Sequence, residues 1–191
     1  RLDVAGLGAV GLAADDVRTG HLPPWLHVVG DASGEPPLTH WGKYRARVLG
    51  DAIAAAATGR GPLPVPDGVP VPQVVFTDPQ VARVGMTEAG AREAGHDVEV
   101  AEVPFAQVGG AALLRDDAPG RAKLVVDRAT GLVLGTTFVG TDAGQLLHAA
   151  TIAITGRVPV HLLRHAVPSF PDVTEVWLRL LEALPVDLRR P

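Results

Sequence analysis

An α+β fold, a mainly antiparallel sheet flanked by helices, is predicted by three features of this 191-residue sequence. Arg121 to Asp127 alternates Ala122, Leu124 and Val126 on one side with Arg121, Lys123 and Asp127 on the other, the pattern of a half-buried strand. The turn Arg128-Ala129-Thr130-Gly131 then returns the chain into the run 132–139, which makes the pair an antiparallel hairpin. Helix signals follow: Asp142-x-x-Gln145 and Asp172-x-x-Glu175 have the form of capping boxes, and Val173, Trp177, Leu180, Leu181 and Leu184 make an apolar stripe at helical spacing.

The N-terminal part reads differently. The apolar run Trp25-Leu26-His27-Val28-Val29 is predicted to be a strand ending at Gly30-Asp31, followed by a loop and a helix from about Thr39 to Ala57. In that helix Trp41, Val48, Ala52 and Ala56 share a side, with Lys43, Arg45, Arg47 and Asp51 spread over the rest. One strand-loop-helix unit within residues 1–58 buries too little apolar surface to stand as a domain. Residues 59–72 contain five prolines, which remove backbone donors and favour extended geometry, so residues 59–70 are assigned to a linker and 71–191 to a second domain.

Within that domain residues 71–76 are predicted as a strand stopped by Thr77-Asp78-Pro79, and Thr87 caps a short helix that ends at Gly95. Residues 98–103 supply a further strand. Past the hairpin, one helix runs to about Thr155 with Gly156 beyond its end, and Pro159 opens a short helical turn.

Composition narrows the function. Without cysteine the chain carries no disulfide, thiolate zinc site or redox-active dithiol. A net charge of −4, with no cluster of Lys and Arg, removes the electrostatic basis for binding nucleic acid or an anionic membrane. No apolar run reaches the ~18 to 20 residues of a membrane span. The sequence opens on Arg1-Leu2, with neither an initiator Met nor a signal-like pattern, so a start inside a longer chain is expected.

Chemistry is legible where the first strand ends. A carboxylate at a strand's carboxyl end, here Asp31 after Gly30, accepts hydrogen bonds from sugar-like hydroxyls. A helix start, here Leu38-Thr39-His40, offers amides with partial positive charge to an anionic or electron-rich ring. Asp31 opening a turn and Thr39 capping a helix are the ordinary uses of the same residues.

Val28-Val29-Gly30-Asp31 followed by Leu38-Thr39-His40 resembles the second flavin-binding motif of the pyridine nucleotide-disulfide oxidoreductases, the family of dihydrolipoamide dehydrogenase and glutathione reductase. The segment Val71-Pro72-Gln73-Val74-Val75-Phe76-Thr77-Asp78-Pro79 through Val84-Gly85-Met86-Thr87 resembles the opening of that family's dimerisation domain. Lys123-Leu124-Val125-Val126-Asp127, Thr130-Gly131 and Leu134-Gly135 continue it, so the resemblance covers nearly the whole chain. It implies a cytoplasmic flavoprotein in which Asp31 bonds the ribityl chain of FAD. Gly30, Thr39 and His40 complete the cofactor-binding residues, with backbone near Thr39 and His40 facing the flavin's pyrimidine edge. His40 need not titrate, and Trp41 and Tyr44 read as packing residues. The family's Gly-rich phosphate loop, cysteine pair and NAD(P)H domain precede the matched part, so NAD(P)H is expected to bind upstream. The partners implied are a second copy of the chain and a small-molecule electron acceptor. The final apolar stripe, wider than a small sheet need cover, is expected to contribute to the homodimer.

One departure bears on the acceptor. Disulfide reductases of the family place a base His immediately before a Pro and a Glu five residues after that His. In His165-Ala166-Val167-Pro168-Ser169-Phe170-Pro171-Asp172 those positions hold Val167 and Asp172. Valine transfers no proton, so the resemblance implies an FAD-dependent NAD(P)H oxidoreductase with a quinone-like acceptor. A disulfide reductase and a non-catalytic dimerisation module stand as alternatives. His165 reads as a packing or solvent-facing residue and Glu175 as the capping partner of Asp172. The ending Asp187-Leu188-Arg189-Arg190-Pro191 lacks the C-terminal redox pair of mercuric and large thioredoxin reductases.

Overall fold

The strand predicted at residues 25–29 does not form in the computed structural model, which describes Leu2 and residues 5–190. A strand needs a neighbour to take its N–H and C=O groups, and among the described residues no other strand lies in this part of the chain. The chain divides into two units, Arg1–Asp67 and Gly68–Pro191.

The first unit is built on two helices. In α1 (Ala14–Thr19) the first turn is closed by Asp16, which accepts from the Ala13 N–H at 2.7 Å. α2 (Thr39–Ala57) is the predicted helix, yet none of its residues is buried. Val17 is the one buried residue among the described residues of this unit. The prolines of residues 62–66 lie along α2, leaving a hollow of about 280 Å³ lined by Tyr44, Val48, Ala52, Leu63 and Val65.

The second unit is a five-stranded antiparallel sheet. Its strands are β1 (Gln73–Val75), β2 (Gln80–Gly85), β3 (Val98–Pro104), β4 (Arg121–Asp127) and β5 (Val133–Gly140), in the order β1-β2-β5-β4-β3. The predicted hairpin is β4–β5, with a bulge at Val125/Val126. Asp127 does not face solvent as the alternation implied: its carboxylate turns into the hairpin loop and accepts from the Ala129 N–H (3.1 Å) and the Thr130 hydroxyl (3.0 Å).

Five α-helices serve the sheet among the described residues. Thr87 caps α3 (Glu88–Glu93), accepting from the Gly90 N–H at 3.1 Å. α4 (Gly109–Leu114) was not anticipated, because a Gly-Gly start argues against a helix. α5 (Leu147–Thr155) follows a short 3₁₀ turn, and α6 (Val160–Leu163) follows Pro159 as expected. α7 (Glu175–Ala183) is the last helix. Ala82, Val84, Leu124, Phe138, Leu146, Leu180 and their neighbours form the main core, and Ala91, Val98 and Val125 make a smaller cluster.

Both capping boxes are overturned. Asp142 sits in the left-handed region at φ 55°, not in the extended backbone a capping residue adopts, and gives no side-chain cap. Glu175 is the first residue of α7 and bonds elsewhere, as described below. The predicted stripe is also spent within the protomer: Val173, Trp177, Leu180, Leu181 and Leu184 are all buried, Trp177 lying edge-on to Phe138 at 5.5 Å between ring centroids. The stripe is therefore not the free surface it was expected to offer a partner.

Sheet closure depends on a glycine crossing. Gly120, at φ 127°, gives its carbonyl to the Phe105 N–H (3.1 Å) as the chain enters β4. A side chain there would overlap the Val139 carbonyl, while one at Gly140 would strike the buried Phe105 ring.

Candidate functional site

The residues the sequence singled out, Gly30 and Asp31 on one side and Thr39 and His40 on the other, flank one close approach. Val29 is extended, Gly30 turns at φ 72°, and residues 30–33 make a single 3₁₀ turn ended by Gly34 at φ 78°. The Ser33 hydroxyl donates to the Gly30 carbonyl at 2.7 Å, and Glu35 pairs with Arg45 of α2 at 2.8 Å, tying the loop to the helix. Asp31 is exposed on this turn, and Thr39 and His40 are exposed as the first two residues of α2. Thr39 is not the cap: Leu38 occupies that position and has no side-chain oxygen to offer, so the helix start is left without a side-chain cap.

Gly42 went unremarked in the sequence and is the residue that fits turn to helix. A Cβ on it would lie 3.3 Å from the Gly30 Cα, so the turn rests directly on the first turn of α2. A glycine inside a helix costs ~1 kcal/mol relative to alanine, which was the available signal of a close approach. The arrangement suits a hydroxylated, electron-rich ligand: an exposed carboxylate that accepts, beside a helix end whose amides donate. Trp41 and Tyr44 stack at 5.3 Å in the packing role expected of them.

In the second unit the segment around Val167 stands out. His165 and Ala166 close the turn after α6 by main-chain bonds to Leu162 and Leu163, and His165 is exposed. Val167 is 89% and Phe170 78% exposed. Asp172 orients no base; its carboxylate accepts from the Thr174 hydroxyl (2.5 Å) and N–H (2.8 Å), bonds that hold its pKa below the ordinary value. Glu175 is buried instead of capping. Its Oε2 accepts from the Gly109 N–H at 3.2 Å and its Oε1 from Arg179 Nη2 at 2.7 Å.

A hollow of about 580 Å³ over the outer face of the sheet has no ligand character of its own. Its charges pair with one another: Lys123 with Glu88 (3.1 Å) and Glu102 (3.3 Å), Arg121 with Glu102 (2.6 Å), Arg92 with Glu88 (3.1 Å). Hydrogen bonds from Lys123 and Arg92 lower the Glu88 pKa, that from Arg121 lowers Glu102, and the bond to Glu88 raises Lys123. Among the described residues no group of three or more His, Asp or Glu is placed to hold a metal ion, and no helix is long and apolar enough to cross a membrane.

An antiparallel sheet flanked by helices is the class of domain that known proteins share with this chain. Residues 71–180 match the family model of the pyridine nucleotide-disulphide oxidoreductase dimerisation domain. A dihydrolipoyl dehydrogenase of Bacillus subtilis is 31% identical over 159 residues, covering 83% of this chain and 32% of the relative. One from Thermus scotoductus is 32% identical over 191 residues, covering 96% and 40%. The solved structure of the HOCl-induced flavoprotein disulfide reductase RclA from Escherichia coli superposes with a TM-score of 0.71 at 28% identity, over 81% of this chain and 34% of that one. The chain belongs to the pyridine nucleotide-disulphide oxidoreductase family. It spans 32% and 40% of the lengths of the two relatives named.

Proposed function

We propose that the chain is the C-terminal portion of an FAD-dependent NAD(P)H oxidoreductase that passes electrons to a quinone-like acceptor. In this reading residues 1–58 complete a flavin-binding domain, 59–70 link, and 71–191 dimerise; NAD(P)H binds outside these residues. Bound FAD supplies the two-electron carrier between nicotinamide and acceptor. Asp31 accepts a hydrogen bond from a ribityl hydroxyl, and the start of α2 at Thr39 and His40 sets partial positive charge against the pyrimidine edge, where it favours negative charge. Gly30 and Gly42 keep those two groups close enough to serve one ligand.

The observation that carries the acceptor reading is Val167, an aliphatic side chain where disulfide-reducing members of the family hold a base. Loss of a general acid-base typically costs about 10² to 10⁴ in rate, and thiol exchange needs that proton transfer whereas hydride or electron transfer to a quinone does not. A disulfide reductase remains the second reading, favoured by the names of the relatives above. A homodimer is supported by exposed Ile152, Leu162, Val167 and Phe170, with a hollow of about 220 Å³ lined by Ala149, Leu163, Val167 and Trp177.

Steady-state turnover of the full-length, flavin-loaded parent decides between the two. With NADH or NADPH as donor, kcat/KM for a benzoquinone is expected to exceed that for lipoamide or glutathione disulfide by about 10²-fold or more. Efficient disulfide turnover that survives His165→Ala would overturn the acceptor reading. Sedimentation of the same preparation is expected to give a dimer, and a monomer at micromolar concentration would refute self-association.

A further inference from the structure

We propose that Glu175 is a positioning residue: by bridging the start of α4 to α7 it sets where the loop of residues 167–172 stands, and with it Val167 and Phe170. The inference rests on the proposed function only in taking that loop to face the acceptor.

The loop has little of its own to hold it. From Val167 to Pro171 no main-chain hydrogen bond forms among the described residues, and Pro168 and Pro171 have no N–H to give. Its side chains at 167 and 170 are exposed, so burial does not fix it either. What it rests on is the Gly109-Gly110 start of α4. A Cβ on Gly110 would overlap the backbone of Asp172, and one on Gly109 would lie 3.4 Å from the Phe170 ring and 3.4 Å from Glu175 Oε2. Two main chains thus meet without an intervening side chain, and any shift of α4 is transmitted to residues 170–172.

Glu175 fixes α4 in that place. Its side chain is 6% exposed, a costly burial for a carboxylate unless both oxygens are used. One oxygen takes the Gly109 N–H across 66 residues of sequence and the other takes Arg179 one turn along α7. Asp172, bonded to Thr174, secures the far end of the loop to the same helix. The loop is therefore clamped from below by Gly110 and from its C-terminal side by α7, with Glu175 joining the two supports.

The test uses the full-length, flavin-loaded parent with Glu175→Ala, Glu175→Gln and Gly110→Ala. Glu175→Ala is expected to raise hydrogen exchange in peptides covering residues 165–174 by about tenfold while peptides over 121–140 stay protected. The benzoquinone KM should rise about tenfold, with ferricyanide kcat, which needs no docked acceptor, within about twofold of the parent. Glu175→Gln, whose amide oxygen still accepts from the Gly109 N–H, should recover most of both effects. Gly110→Ala should reproduce them with Glu175 intact, which keeps the proposal testable if Glu175→Ala fails to fold. Unchanged exchange in residues 165–174 in Gly110→Ala and in whichever Glu175 variants fold would overturn the inference. So would exchange rising equally across 121–140, or a loss confined to kcat. If the parent fails to reduce benzoquinone but the exchange pattern is as described, the acceptor reading falls and the positioning role stands.

Discussion

Gly120→Ala is expected to destabilise the sheet unit by roughly 2 to 6 kcal/mol, a sum of strained backbone and steric overlap at about 1 to 3 kcal/mol each. The backbone at φ 127° is one that side chains rarely adopt, and the added Cβ would meet the Val139 carbonyl, part of a strand paired on both sides. Relief requires β5 to move away from β4, which breaks the ladder where Phe105 is seated. Since a domain has only about 5 to 15 kcal/mol of net stability, much of it would be lost. Gly95→Ala is the matched control: its φ is 87°, but no atom lies within 4 Å of the added Cβ. That variant should cost only about 1 to 2 kcal/mol, the ordinary penalty of a left-handed conformation. Urea unfolding of the two variants separates the cases, and equal midpoints would show that the Gly120 contact is not what closes the sheet.

How much of this was readable beforehand depended on how local each signal was. The β4–β5 hairpin, the Thr87 cap and the α2 span are written in residues a few positions apart, and all formed as expected. The two supposed capping boxes had the right residues at the right spacing, yet Asp142 adopts a left-handed backbone and Glu175 is drawn to an amide 66 residues away. Such partners are set by the packed fold, and a four-residue pattern carries no information about them. The start of α4 fails for the converse reason. Gly109-Gly110 opposes a helix by propensity, but only glycine lets that turn lie against Asp172.

The sequence located the candidate flavin motif but misjudged its surroundings. Residues 25–29 have the apolar composition of a strand without a described neighbour to pair with, and strand formation depends on that neighbour more than on composition. Gly30, Asp31, Thr39 and His40 could be singled out because a turn glycine, a carboxylate and a helix start are separately recognisable. Their mutual placement rests on Gly42, whose role appears only when the turn is seen lying on the helix. The Val167 position shows the reverse case, in which a single absent imidazole is plain from sequence and the support beneath it is not.

Asp31→Ala in the full-length parent is expected to weaken FAD binding by about 10- to 150-fold, the equivalent of the ~1.5 to 3 kcal/mol that a charge-assisted hydrogen bond contributes. Gly30 at φ 72° and the Ser33 bond to its carbonyl hold Asp31 on the 3₁₀ turn, and the Glu35–Arg45 pair holds that turn to α2. The backbone that carries the carboxylate is thereby organised before ligand arrives, so less ordering entropy offsets the bond it makes. Asp31→Asn, which keeps an acceptor oxygen and loses the charge, should fall between parent and alanine variant. Gly42→Ala should act in the same direction, more weakly and without touching Asp31, because a Cβ 3.3 Å from the Gly30 Cα makes the turn give by a few tenths of an ångström. Flavin-to-protein absorbance after gel filtration, followed by titration of the apoprotein with FAD, measures all three. Full occupancy in Asp31→Ala, with affinity equal to the parent's, would show that the ribityl contact lies elsewhere and that the carboxylate only shapes the turn.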